Sequence, residues 1–113
     1  MLYIAEFIYF ITIVFGIVNL ISSIQRVLHY RNVAIIHGIL ASSALLLVFF
    51  HIVAVGYTSF LLITFSVLSL ATLGGVTLLI YRLKHKRPPA ILLGSHPFVA
   101  IIGVILLTAY ILP

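Results

Sequence analysis

The chain has 113 residues, of which 65% are hydrophobic and 6% charged, and its net charge is +5. A soluble domain carries about 25% charged residues; a chain this apolar cannot cover its own surface with polar groups, which points to lipid as its solvent. It has no cysteine, no aspartate and one glutamate, which excludes disulfides, zinc–thiolate sites, iron–sulfur clusters, thiol nucleophiles, catalytic triads and carboxylate pairs. No hydrolytic site is visible, and whether the chain is an enzyme of another kind stays open.

The expected fold is an all-α membrane protein, a bundle of four transmembrane helices in one domain spanning residues 1–113. A stretch of roughly 20 apolar residues crosses a bilayer, and four such stretches take up nearly the whole chain. The first runs from about Leu2 to Ile24, with Glu6 as its only charge. It lacks a basic start and a small-residue cleavage site, so it reads as a retained span rather than a signal peptide. A short polar connection, Gln25 to Asn32, carries Arg26, His29 and Arg31. The second span runs from about Val33 to Val55, and Gly56-Tyr57-Thr58-Ser59 supplies a tight turn, since glycine and small polar residues suit turns. The third span runs from about Phe60 to Tyr81. A basic loop follows, with Arg82, Lys84, His85, Lys86 and Arg87, and ends in Pro88-Pro89. This pair stops the third helix and can open the fourth, which runs from about Ala90 to Leu112.

All six Lys and Arg residues fall in the first and third loops, and the second turn has none. A basic chain can suggest nucleic acid, but this segregation is that of topology signals and argues against it. The positive-inside rule places both basic loops in the cytoplasm and both termini outside. Tyr3, Tyr9, Tyr57, Tyr81 and Tyr110 fall near the expected interfaces, as an aromatic belt would. The spans do not alternate as barrel strands do, and helices are the remaining way to satisfy backbone groups in lipid. A faint repeat at an offset of 59 residues pairs Gly16 with Gly75, Leu20 with Leu79, Ile21 with Ile80, His37 with His96 and Ala41 with Ala100. It is the form that two repeated helix hairpins would take, although apolar matches arise easily by chance.

Of five histidines, His29 and His85 lie in the basic loops and read as solvated. The other three lie inside spans, where an ionisable residue is rare and is a functional hypothesis by default. His37 is about four residues into span two and His96 about six residues into span four, both roughly 6–9 Å from the basic end. Two imidazoles at matched depth on co-directional helices can hold a haem iron from both faces, and bundle cores are a recurrent place for cofactors. Gly38 and Gly103, with Gly16, Gly74, Gly75 and Gly94, would give a macrocycle room, though membrane helices also use glycine simply to pack closely. His51 follows His37 by 14 residues, which is about 40° short of four turns and a rise of about 21 Å. The two therefore share a helix face near opposite membrane surfaces.

That spacing resembles the paired ligands on one helix of the cytochrome b family, and more broadly the chain resembles small four-helix membrane cytochromes of the b type. It also looks like four-span proteins in which a basic loop and a Pro pair lead into a histidine-containing last helix. The resemblance to the two-haem cytochrome b is incomplete, because the position 14 residues after His96 is Tyr110. It implies bis-histidine ligation of a b-type haem by His37 and His96 and a role in electron transfer, with quinone as a possible partner.

Without a second outer histidine, His51 is not expected to hold a second haem. Tyrosine ligation by Tyr110 needs a phenolate, which is costly away from water. His51 is expected instead to hydrogen-bond Tyr110 or another outer polar group, or to meet a quinone head group; a homodimer could supply a second His51.

Four alternatives stand beside haem. The histidines could carry proton or quinone chemistry without a haem. The histidines could be structural and bond hydroxyls on neighbouring helices, from Ser42, Ser43, Thr64, Ser66, Ser69, Thr72 or Thr77. The chain could be a non-catalytic accessory subunit of a larger respiratory or transport complex in the bilayer. It could be a small multidrug-type transporter, a family built on a mid-membrane glutamate, although Glu6 lies at the end of its span and the chain has no tryptophan.

Overall fold

The computed structural model describes residues 1–24 and 31–112. They form four helices: α1 (Leu2–Ile24), α2 (Arg31–Val55), α3 (Ser59–Leu83) and α4 (Ala90–Ile111). Each is long and apolar enough to cross a membrane. At about 1.5 Å per residue, 22 to 25 residues reach 33 Å or more, against a hydrocarbon core of about 30 Å. The bundle measures 42 × 23 × 21 Å. Large apolar side chains such as Ile4, Phe7, Val53, Leu73, Ile91 and Phe98 stand more than half exposed along the helix flanks. Water would not tolerate that surface on a monomer, whereas lipid does.

The termini of the helices differ from the sequence reading in one informative way. α2 begins at Arg31 and α3 continues to Leu83, so Arg31 and Arg82 are helical rather than in loops. Their long apolar stems extend a span while the charged head stays at its edge. Arg26 and His29 lie outside the described residues.

Two turns have identifiable causes. Gly56 takes φ +115°, where other residues are strained, and Thr58 then caps α3 by accepting Leu61 N–H on its hydroxyl at 3.2 Å. After α3 the N–H of His85 reaches Arg82 O and that of Lys86 reaches Tyr81 O, at 3.1 and 2.9 Å. This is a Schellman closure, with His85 at the left-handed position usually given to glycine, φ 55°.

α1 packs most extensively on α2 and α3 on α4, and α2·α3 and α1·α4 contacts close the bundle. The Thr108 hydroxyl donates to Glu6 Oε1, and Phe60 stacks on Tyr110. The start of α1, the start of α3 and the end of α4 thus share one end of the bundle. The packed core, with Ala5, Tyr9, Val48, Leu61, Leu68, Val104 and Leu107, belongs to that half. Tyr9 is 5% exposed and so belongs to this core rather than to an aromatic belt, whereas Tyr3 and Tyr57 are exposed. The opposite, basic half has alanines and glycines among its larger apolar residues, and there the helices frame a partly open cavity.

Candidate functional site

The cavity has a volume of about 570 Å³ and is bounded by all four helices, within the range of small-molecule and cofactor sites. Ala34, Ala41, Ala71, Ala100, Gly16, Gly38 and Gly75 line its walls. Short side chains leave the space that Leu and Val fill in the other half. Arg31, Arg82, His85, Lys86 and Arg87 line its basic end.

His37 and His96 both face this space. Each is the seventh residue of its helix, so the matched depth read from the sequence holds in three dimensions. Their ring centroids are 6.1 Å apart, with the planes at 87°. His37 Nδ1 lies 2.9 Å from Thr12 O on α1, and His96 Nδ1 lies 2.9 Å from Ala71 O on α3. A carbonyl oxygen can only accept, so in both rings Nδ1 carries the proton and donates. The lone pair of each neutral imidazole is then on Nε2. Such a second-sphere bond fixes the tautomer and ring orientation of a metal-binding histidine.

The two halves of the site are copies at the offset of 59 residues. Thr12 O, Gly16 and His37 in the first hairpin correspond to Ala71 O, Gly75 and His96 in the second. A Cβ on Gly16 would stand 3.0 Å from His37 Cε1, and one on Gly75 would stand 2.9 Å from His96 Cε1. Each imidazole therefore lies against a bare stretch of the preceding helix. The repeat, faint in sequence, is a repeat of contacts.

The remaining sequence candidates separate. Gly38 lines the cavity and has ordinary clearance from Leu79. Gly103 is buried outside the cavity, where a Cβ would stand 2.6 Å from Leu68 Cδ2; its role is helix packing. Gly74 also abuts His96, and Gly94 has nothing within 4 Å of a built Cβ. His51 is half-buried, outside the cavity, and among the described residues no hydrogen bond joins it to Tyr110. Of the hydroxyls expected as histidine partners, all but that of Ser42, which lines the cavity, are engaged elsewhere. Ser43, Thr64, Ser66, Ser69, Thr72 and Thr77 each donate to the carbonyl four residues back in their own helix.

Several features were missed in the sequence. The acceptors Thr12 O and Ala71 O are backbone atoms and leave no side-chain signal. Pro97, next to His96, lies inside α4 and lines the cavity; it removes the N–H that would bond Leu93 O. Arg82 Nη2 donates to Ser22 Oγ at 3.2 Å and reaches Asn19 O at 3.5 Å, joining α3 to α1 at the basic end. Glu6 is buried, and its second oxygen, Oε2, has no hydrogen-bond partner among the described residues.

Chemically the site offers two nitrogen lone pairs on opposite helices, the hydroxyls of Tyr9 and Ser42, and a cluster of cations at one end. Among the described residues no group of three or more His, Asp or Glu side chains could hold a bare metal ion. A pair of axial donors suits a metal whose other positions are filled by its own macrocycle. No protein-family model matches this chain, and neither does any curated protein or solved structure.

Proposed function

We propose that this chain is a membrane electron-transfer protein that holds one b-type haem between His37 and His96. The observation that carries the reading is the pair of Nδ1–H···O=C bonds. They leave both Nε2 lone pairs unprotonated, at equal depth, on rings 6.1 Å apart beside a cavity of about 570 Å³. Haem would supply a one-electron couple, with quinone as a candidate exchange partner. The chain's own residues do the rest. Thr12 O and Ala71 O hold the imidazoles, Gly16 and Gly75 let them lie close to α1 and α3, and the apolar helices exclude water. In this reading the basic end faces the cytoplasm and both termini face outward, by the positive-inside rule.

The test is an absorbance spectrum of the purified protein, oxidised and reduced, with haem supplied during expression. A low-spin spectrum is expected, lost or strongly altered in His37→Ala and in His96→Ala while both variants still insert and fold. A colourless wild type, or two variants with the wild-type spectrum, refutes the assignment. Single cysteines at Thr58 and Lys86 test the orientation: reagent outside the cell should label only Thr58→Cys.

One second reading draws on the same bonds. If the histidines only staple α2 to α1 and α4 to α3, the chain is an accessory subunit of a larger membrane complex. It would then be colourless, fold normally, and lose stability rather than a spectrum when either histidine is replaced.

A further inference from the structure

The cavity is asymmetric in charge. Its depth is mostly apolar, with the imidazole pair and the hydroxyl residues Tyr9, Thr12, Ser42 and Thr72 as its polar lining, and among the described residues every Arg or Lys that lines it is at one end: Arg31, Arg82, Lys86 and Arg87. The only acid in the chain, Glu6, does not line it and bonds Thr108 at the opposite end. Arg31 precedes His37 by six residues, about 9 Å along α2, and Arg82 lies two turns beyond Gly75 on the same face of α3. The Schellman closure at His85 turns the chain so that Lys86 and Arg87 reach the mouth. A ligand complementary to this cavity has an apolar body and a negative end.

Resting on the haem reading above, we infer that the basic mouth recognises the two carboxylates of the macrocycle, so that the cofactor sits with its acidic edge toward Arg31, Lys86 and Arg87. Arg82, already anchored on Ser22 and Asn19 O, contributes its charge from a fixed position. Partly exposed ion pairs are each worth about 1.4- to 5-fold in affinity. Two carboxylates among four cations should therefore favour the diacid over its neutral diester by about tenfold in affinity.

The experiment titrates the full-length apoprotein, in a non-ionic detergent, with haemin and with haemin dimethyl ester, following the Soret band. The wild type should bind haemin about tenfold more tightly. The variant Arg31→Gln/Lys86→Gln/Arg87→Gln should bind the two compounds nearly equally and still give the low-spin spectrum. Equal affinities in the wild type, or undiminished discrimination in the variant, overturn the role of the mouth and leave the histidine assignment standing. No low-spin spectrum with either compound overturns both. A phosphate headgroup is the other anion this mouth could take. If native mass spectrometry shows the variant losing bound phosphatidylglycerol while its haemin-to-ester ratio is unchanged, the residues serve lipid and the inference falls.

Discussion

Replacing Gly75 with alanine probes the site with a single methyl group. The added Cβ would stand 2.9 Å from His96 Cε1, closer than packed side chains tolerate. The obstructing atom belongs to a rigid ring, held at the same time by the 2.9 Å bond from Nδ1 to Ala71 O. Relief requires the ring to swing off that carbonyl or α3 to move away from α4. Overpacking of this kind costs about 1–3 kcal/mol, and loss of the hydrogen bond about 0.5–1.5 kcal/mol. The gain in helix propensity on replacing glycine offsets at most about 1 kcal/mol. The expected net effect is a destabilisation of about 1–3 kcal/mol, with weakened haem binding because His96 loses its orientation. Gly94→Ala is the control, since nothing lies within 4 Å of its added Cβ, and it should be neutral or slightly stabilising. Reversible unfolding in mixed micelles gives the stabilities and haemin titration the affinities. If Gly75→Ala is as stable as Gly94→Ala and binds haemin like the wild type, the close contact of His96 with α3 is wrong. Gly16→Ala, with its Cβ 3.0 Å from His37 Cε1, should repeat the result in the other hairpin.

Three further outcomes are expected. His85→Gly should stabilise the protein by about 1 kcal/mol, because the left-handed backbone at φ 55° costs a side-chain-bearing residue about that much; His85→Ala should bring no such gain, and the same unfolding assay compares them. Thr108→Val, which removes the hydroxyl bonded to Glu6, should cost about 0.6 kcal/mol and at most about 1.7, the mean and maximum found for interhelical hydrogen bonds in a membrane bundle; Thr77→Val, whose hydroxyl bonds only Leu73 O on its own helix, should cost less. His51→Ala should leave one haem per chain by pyridine haemochrome analysis, because His51 lies outside the cavity that holds His37 and His96; a wild type with two haems, one of them lost in the variant, would contradict that.

The sequence was sufficient for the fold class and for much of the boundary detail, for a direct physical reason. In lipid each span must satisfy its backbone within itself and present apolar side chains outward, so length and hydropathy alone locate the four helices. Charge segregation put Arg31, Arg82, Lys86 and Arg87 at one end, and the 59-residue offset paired His37 with His96. Two boundaries lie two residues further out, at Arg31 and Leu83, where arginine stems stand at the edge of the apolar layer. What hydropathy cannot express is which side of a helix faces which neighbour, since all four helices are apolar around their circumference. Tyr9 therefore read as an interfacial residue and is in the core. Gly103 read as room for a cofactor and is room for Leu68. In the structural alternative the partners of the histidines read as hydroxyls and are the carbonyls of Thr12 and Ala71; six of the seven candidate hydroxyls bond the carbonyl four residues back in their own helix. The tertiary structure alone decided that each imidazole lies on the bare backbone of the preceding helix, with its Nε2 lone pair available. Those contacts join residues 25 apart in sequence through backbone atoms common to every residue type, so the acceptors leave no side-chain signal, and only the paired glycines and histidines of the 59-residue repeat hint at them.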